Sequence, residues 1–569
     1  MRSMRVPFVV AAVLFAGSQA AFAQQFQNQT STKFPPAATS PNEYTNQLTF
    51  VDLDADGDLD IVWGNGQGYS SQGAALKPRM FINDGNAVFT DQTDARAPGI
   101  TGWFRGVEAG DMDGDGDVDL ILPQDFNKKP ILLENTGGGN FINSSAKLPN
   151  INMSSARAQF GDVDNDGDLD LIFNNSGTTS RFGTNGRPRL FLNDGLGNYT
   201  DAPTTQTPQT NIAEQMDILF LDVDNDLDLD IYVGTRAGQS KLWLNDGTGV
   251  YTNLGAAMPG GGSSYSYDAG DIDGDGDLDL IGINSNTSSQ ELLLRNNNGI
   301  GTSWTNVSAQ ISPNPSVDDN DSRFFDNDFD GDLDLIVGSL GSSERYYQNN
   351  GAGTFTQTSG VIPAVSDSSL DIKVADLNDD GRPDIVTAQG ESGSFQNKIF
   401  INVSGNVDNR APVIKLTEQV VPGSSVGPFA VRAQIFDDSA NDRGYEFEAN
   451  AVKLAYSVDG GAATEISMTW TGGWNYRAIL PAVPACSNVQ YWVVATDRKG
   501  NVGTGPTKSY DVRGECGGNP ADYNNDGVVD GQDLGILLGG WGSADTDLTG
   551  DGITDGADLG LLLGAWGTV

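Results

Sequence analysis

The chain has no histidine and only two cysteines in 569 residues. Without histidine, no Ser-His-Asp or Cys-His nucleophile system and no His-bound zinc or copper can be assembled. Two thiols are too few for an iron–sulfur cluster or an all-thiolate zinc site. Basic residues are scarce: 32 Lys+Arg stand against 76 Asp+Glu, a formal charge of −44. That balance excludes a binder of nucleic-acid phosphates, which needs a basic footprint. Long apolar runs are missing as well. The run at residues 6–16 is shorter than the ~20 residues of a membrane span, and no later segment predicts a transmembrane helix. What remains is an acidic, glycine-rich chain (72 Gly) with 38% hydrophobic residues. It should fold, and its length implies two to four domains.

Arg2 and Arg5 precede the short apolar run and Ala21-Phe22-Ala23 follows it. A charged start, a short apolar stretch and an A-x-A site predict a signal peptide over residues 1–23, with Gln24 beginning the mature protein. The expected location is therefore secreted or extracellular, free or at a cell surface, where calcium is abundant and thiols oxidise.

One acidic phrase recurs seven times, with its first Asp at 52, 111, 162, 222, 271, 326 and 376. A period near 50 residues is the mark of a solenoid or a propeller. Each phrase is flanked by short apolar stretches and by Asn-Asp-Gly turns, as in Arg189-Leu190-Phe191-Leu192-Asn193-Asp194-Gly195. Four short strands per repeat predict a mainly β fold, a seven-bladed β-propeller over 24–408. The seventh repeat lacks its fourth strand, and Phe26-Gln27-Asn28-Gln29-Thr30 mirrors Phe89-Thr90-Asp91-Gln92-Thr93. The mature N-terminus is expected to complete the last blade.

The phrase reads D-x-D-x-D-G-x-x-D. Position 1 is Asp52, Asp111, Asp162, Asp222, Asp271, Asp326 and Asp376; position 3 is Asp54, Asp113, Asp164, Asp224, Asp273, Asp328 and Asn378. Position 5 is Asp56, Asp115, Asp166, Asp226, Asp275, Asp330 and Asp380; position 9 is Asp60, Asp119, Asp170, Asp230, Asp279, Asp334 and Asp384. Position 7, a backbone carbonyl, falls on Asp58, Asp117, Asp168, Asp228, Asp277, Asp332 and Arg382. Four converging carboxylates repel one another unless a hard cation joins them. Ca²⁺ tolerates this oxygen set better than Mg²⁺, which demands stricter octahedral geometry. The fourth loop, with Leu227 at the glycine position, and the seventh, with Asn378, are expected to be the weakest. These phrases resemble the FG-GAP/VCBS repeats of integrin α-subunit propellers and bacterial secreted proteins. That resemblance implies a structural calcium in each blade hairpin. On the opposite face, Tyr69, Trp103, Phe104, Arg105, Phe182, Arg236, Tyr265 and Tyr267 are the expected ligand-face residues.

The acidic repeat stops before Ala411. Seven short strands over 411–512 predict an immunoglobulin- or fibronectin-III-like sandwich, with one strand running through Ile466-Ser467-Met468-Thr469-Trp470. In an exported chain Cys486 and Cys516 should form a disulfide. After a linker at 513–520, two copies of a 25-residue unit fill 521–569. Their loops offer Asp522, Asn524, Asp526, Val528, Asp530 and Asp533, then Asp547, Thr549, Asp551, Ile553, Asp555 and Asp558. These are EF-hand-type spacings with Asp at position 12. Each precedes an apolar stripe, Leu534, Leu537, Leu538 and Trp541 or Leu559, Leu562, Leu563 and Trp566. The pair resembles a type I dockerin, which implies calcium-dependent docking to a cohesin-like partner. Positions 10 and 11, Gly531-Gln532 and Gly556-Ala557, lack the hydroxyl pair often used there.

The expected function is a secreted, calcium-binding, non-catalytic adhesion or scaffold protein. Its propeller displays loops to an extracellular protein or glycan, and its tail attaches it to a surface or complex. The alternative is a carbohydrate-binding propeller, or a component of an extracellular polysaccharide-degrading complex.

Overall fold

Each Asp-rich phrase is the turn of a hairpin. Thr45–Val51 runs into the loop and Asp60–Asn65 leaves it, paired antiparallel with Val51 opposite Asp60. Arg79–Ile82 and Thr90–Asp91 add the third and fourth strands. The same sheet recurs around the first strands Glu108–Gly110, Ala158–Gly161, Gln215–Leu221, Ser264–Gly270, Asp319–Phe325 and Ser369–Ala375. The fold is mainly β, built of many small sheets. The computed structural model describes residues 24–34, 43–68, 71–177, 185–255, 264–284, 290–366, 368–390, 393–421, 426–437, 447–512, 519–524 and 528–567. The expected signal peptide, Tyr69, Phe182, Cys516, Asp526 and most of the expected linker lie outside them. No helix among these residues is long and apolar enough to cross a membrane.

Neighbouring sheets are joined through their first strands. Each first strand packs on the next, and Ser369–Ala375 packs on Thr45–Val51. Side-chain acceptors cross these junctions. Gln47 Oε1 takes the Val107 N–H at 3.2 Å, and Asp217 Oδ2 takes that of Tyr267 at 2.8 Å. Asp268 Oδ2 takes the Phe324 N–H at 2.9 Å, and Asp321 Oδ2 that of Ile372 at 3.0 Å. Asp371 Oδ2 takes the Leu48 N–H at 2.8 Å, which ties the seventh sheet to the first. Where these strands converge, Arg157 lies 3.5 Å from Asp217 and 3.2 Å from Asp371, and Arg323 lies 2.7 Å from Asp321 and 3.2 Å from Asp371. Asp371, Asp321 and Arg323 are almost completely buried. Removing one partner from a buried ion network strands the others. Asp371→Ala should therefore cost about 3–5 kcal/mol in denaturant unfolding; a loss under about 1 kcal/mol would mean that the network is slack.

The fourth strand of the seventh sheet is supplied by Phe26–Asn28, antiparallel to Lys398–Asn402 with Gln27 opposite Ile401. The sixth sheet gains a fifth strand, Ile311–Ser312, parallel to Phe355–Gln357.

Residues 413–511 form two facing sheets of nine strands in all, around a core including Val431, Leu454, Tyr491 and Val493. The expected single strand at 466–470 is divided. Thr464–Ser467 pairs with Val452–Val458, whereas Thr469–Gly472 pairs with Asn475–Leu480 in the other sheet. Met468, between them, is buried, so the chain crosses from sheet to sheet over a core residue. Val502–Thr504, paired with Asn488–Thr496, is a strand beyond the seven expected.

The tail holds two nine-residue helices, Gly531–Gly539 and Gly556–Gly564, each begun by an Asp capping box. Leu537 and Leu562 are fully buried between them, with Leu534 and Leu559 packed alongside. The expected apolar stripe is split, because Leu538, Trp541, Leu563 and Trp566 are about half exposed. Nine-residue helices offer one another too narrow a face to cover four large side chains each.

Candidate metal centres

All seven loops share one backbone design. The position-1 carboxylate accepts the N–H five residues on: Gly57 to Asp52, Gly116 to Asp111 and Gly167 to Asp162, each at 3.0 Å. Leu227 to Asp222, Gly276 to Asp271, Gly331 to Asp326 and Gly381 to Asp376 repeat the contact. Glycine stands at position 6 because φ is strongly positive there, +97° at Gly57 and +106° at Gly167. Leu227 adopts φ +70° and keeps its N–H bond to Asp222 at 3.0 Å. The fourth loop thus has the same shape as the others, at the ~1–2 kcal/mol that a left-handed Leu costs.

Position 9 anchors the base. Asp60 Oδ1 accepts the Asn83 N–H at 2.8 Å and its Oδ2 accepts the Leu53 N–H at 3.0 Å. The first contact recurs at Asp119, Asp170, Asp230, Asp279, Asp334 and Asp384. Burial pushes these carboxyls up in the metal-free chain, with Asp60, Asp279 and Asp334 at about 8 and Asp119 at about 7. Position 5, from Asp56 through Asp330, is exposed at the rim in the first six loops. Between base and rim, carboxylate oxygens of Asp52, Asp54 and Asp60 approach within 4.8 Å, as do those of Asp111, Asp113 and Asp115. Asp162, Asp164 and Asp166, then Asp222, Asp224 and Asp226, and Asp271, Asp273 and Asp279 gather in the same way.

The fit to a cation rests on what the position-3 side chains leave undone. One oxygen of Asp54 is bonded to Arg96 at 2.6 Å, and one of Asp328 to Gln348 at 2.7 Å. The Oδ1 atoms of Asp54, Asp164, Asp224, Asp273 and Asp328 are buried without a hydrogen-bond donor, as is Oδ1 of Asp162, a position-1 residue 4% exposed. A buried carboxylate oxygen without a partner is costly. Five of the six residues, all but Asp328, stand in the clusters just described, so the donor set suits a hard, oxygen-seeking cation. The seventh loop fits least: Asn378 is neutral and Asp380 is paired with Arg382 in its own loop.

In the tail, Asp533 takes the N–H of Asn524 at 3.0 Å and of Asp530 at 2.9 Å. Asp558 likewise takes those of Thr549 at 2.9 Å and Asp555 at 2.6 Å. Asp547 accepts from Gly550 and Gly552 at 2.7 and 2.6 Å. Backbone donors, led by Asp555 N–H, pull the Asp558 carboxyl down to about 2. Position 12 therefore closes the loop onto its helix.

The turn Asn-Asp-Gly carries more than its sequence suggests. Asn83 Nδ2 donates to Leu377 O at 2.8 Å and Asn135 Nδ2 to Leu53 O at 3.2 Å, each reaching the preceding sheet's loop. Asn193, Asn245, Asn296 and Asn349 do the same to Met112, Val163, Val223 and Ile272. The recurrence of Asn in all those turns was the available signal. Asn245→Ala should cost about 1–3 kcal/mol, because it takes the side-chain donor from the Val163 carbonyl while Leu229 O keeps the Tyr251 hydroxyl at 2.9 Å; denaturant midpoints would reveal a smaller loss.

The expected ligand face is reduced. Phe104, Arg105 and Tyr267 are 0%, 5% and 2% exposed. Phe104 belongs to a sheet–sheet core, and Tyr267 stacks edge-on against Tyr232 with ring centroids 4.8 Å apart. Trp103 is half-buried, its Nε1 bonded to Gly73 O at 2.8 Å and its ring under Lys128 Nζ at 5.0 Å. Tyr265 is half-buried beneath Arg236, 5.6 Å from its ring. Cys486 is disulfide-bonded.

Comparison with known families matches the FG-GAP-like repeat at residues 52–122, 222–282 and 325–387. The chain carries FG-GAP-like repeats. Each matched segment contains two consecutive acidic loops, those beginning at Asp52 and Asp111, at Asp222 and Asp271, and at Asp326 and Asp376, with the strands between them. No curated protein matches the sequence. Among solved structures, a candidate glycoside hydrolase from Parabacteroides distasonis covers 67% of this chain and 97% of its own, at 10% identity and a TM-score of 0.25. A tetra-tandem repeat from the extending region of a large adhesion protein covers 82% and 98%, at 11% identity and a TM-score of 0.16.

Proposed function

We propose that this is a secreted, calcium-stabilised scaffold for adhesion, in which seven sheets form the blades of a propeller and each acidic loop holds one Ca²⁺. The observation that carries the reading is the set of buried Oδ1 atoms at position 3 without donors, repeated in five loops. Bound calcium would be held by the carboxylates at positions 1, 3, 5 and 9 and by the carbonyl at position 7. It supplies the positive charge that the converging carboxylates lack. Its role is structural: the loops are hairpin turns, and the chain has no histidine for general acid–base work.

The ring reading is supported by the Asp371–Leu48 and Asn83–Leu377 bonds, which link the last sheet to the first. The tail is the attachment module. Ile536, Leu538 and Trp541 are 41%, 52% and 49% exposed, and their counterparts Leu561, Leu563 and Trp566 are 51%, 52% and 46% exposed. Two equivalent apolar faces, each beside a calcium loop, suit a cohesin-like or surface protein.

Calorimetric titration of the purified, calcium-stripped chain tests the reading. Several sites saturating with Ca²⁺ and hardly with Mg²⁺ are expected. Absence of heat and of any thermal shift with calcium would overturn it, and hydrolysis or elimination of a polysaccharide by the chain would overturn the non-catalytic part.

A further inference from the structure

The segment from Arg410 to the second β-sandwich sheet lays a basic side chain against the tight turn of six of the seven acidic loops. Arg498 Nη1 donates to Gly57 O at 2.9 Å in the first loop. Arg477 fills the space above Gly167 in the third and reaches Asn165 O at 3.4 Å. In the fourth, Arg432 donates to Leu227 O at 3.0 Å and pairs with Asp228. Lys415 packs on Gly276 in the fifth, and Arg410 covers Gly331 in the sixth, 3.9 Å from Asp326. Lys499 lies along Gly381 in the seventh and donates to Asp379 O. Among the described residues no cation of this segment is placed at the second loop, where Asp113 instead faces Lys147 of its own sheet at 3.6 Å.

One of these cations, Lys415, is costly where it stands unless the loops are charged. Lys415 is half-buried, its Nζ lies 5.7 Å from the Phe436 ring centroid without a hydrogen-bond acceptor, and burial holds its pKa below the usual lysine range. The charge that faces it comes from Asp222, Asp271, Asp277 and Asp275, in two neighbouring loops. The same pairing of a cation with a position-1 carboxylate occurs between Arg477 of the sandwich and Asp162, and between Arg410, just before the sandwich, and Asp326. A sequence this poor in basic residues, 32 in all, has placed six of them on one surface.

We propose that the sandwich is a built-in counter-ion cap: its basic side chains neutralise the acidic loops when calcium is scarce, and they lower the calcium affinity of the loops they cover. The inference rests on the calcium reading above and adds its regulation. Calcium and the cap oppose the same negative charge from different sides. By linkage, whatever the cap takes from calcium affinity, calcium takes from cap docking. The covered loops therefore fill at higher calcium than they would without the cap.

The test uses the full mature chain with Lys415→Met, Arg432→Met and Arg477→Met combined, which keeps the apolar stems and removes three charges. Calcium titration should show the covered sites tightening by about threefold to tenfold, as expected for a charge several Å from a divalent ion at high effective dielectric. The melting temperature should fall in EDTA and change much less in saturating calcium. Unchanged affinity with equal losses in both conditions would overturn the cap and leave plain structural docking. Weakened affinity would overturn it in favour of loop preorganisation. If the triple variant does not fold, Arg477→Met alone gives the same two readouts at the third loop. If the unaltered chain binds no calcium, the functional reading fails and the cap fails with it; if it binds calcium and the variants are unchanged, only the cap fails.

Discussion

Stripping calcium from the mature chain with EDTA should lower its melting temperature by roughly 15 °C or more. A ligand that binds only the folded state at a hundred times its Kd adds about 2.7 kcal/mol per site, and six well-formed loops together would add about 16 kcal/mol. In a domain of this size each kcal/mol moves the midpoint by about 1–2 °C. The pH dependence carries a distinctive sign. In the metal-free chain burial raises Asp60, Asp279 and Asp334 to about 8 and Asp119 to about 7, well above the ordinary carboxylate range. Between those values the folded chain binds more protons than the unfolded one, so stability falls as pH rises. The stabilisation is complete below about pH 4 and is lost through about pH 8. Calcium binds the ionised form and removes this penalty. Melts in EDTA should therefore decline from pH 5 to pH 8, while the gap between calcium and EDTA widens. A gap that narrows with rising pH would contradict carboxylate ligation, and no gap at all would remove the metals.

How much of this could be read from the sequence depended on whether a feature was local and repeated. The loops were legible because position 1 to position 6 is a contact within one turn. The closing strand was legible for a related reason. Thr30 Oγ1 accepts the Ile399 N–H at 3.1 Å while its hydroxyl bonds Asn28, and Thr93 Oγ1 accepts the Met80 N–H at 3.0 Å while bonding Asp91. One phrase makes one set of bonds in both places, so its reappearance at the N-terminus carried structural meaning. Tyr267 was misplaced for the opposite reason. A β-bulge between Ser264 and Ser266 breaks the alternation of faces, leaving Tyr265 partly exposed and turning Tyr267 into the core. The six cations on the loops are separated from them by up to 441 residues. No periodicity relates such positions, and they come together only through packing of two β units.

Deleting residues 24–30 should destabilise the repeat region by roughly 6–10 kcal/mol. Phe26 is fully buried among Phe325, Tyr346 and Phe400, and aromatic truncation in a core costs about 3–5 kcal/mol. Its backbone N–H reaches Val361 O at 3.0 Å, while Val403 N–H and Gln29 N–H bond to Gln25 O and Ile399 O at 2.8 and 3.0 Å. Each such bond adds about 1 kcal/mol net, and buried groups left without partners cost more. Loss of the strand also exposes the edge of Lys398–Asn402, an apolar strand that would then be free to pair with another chain. Phe26→Ala separates the two effects, since it removes the core contact and leaves the backbone ladder in place. It should show about half the loss and no gain in self-association by light scattering. The deletion should show both. A deletion variant that melts with the unaltered chain would mean that the repeat region does not depend on this strand, and that the sheets hold one another through the Asn and Asp links alone.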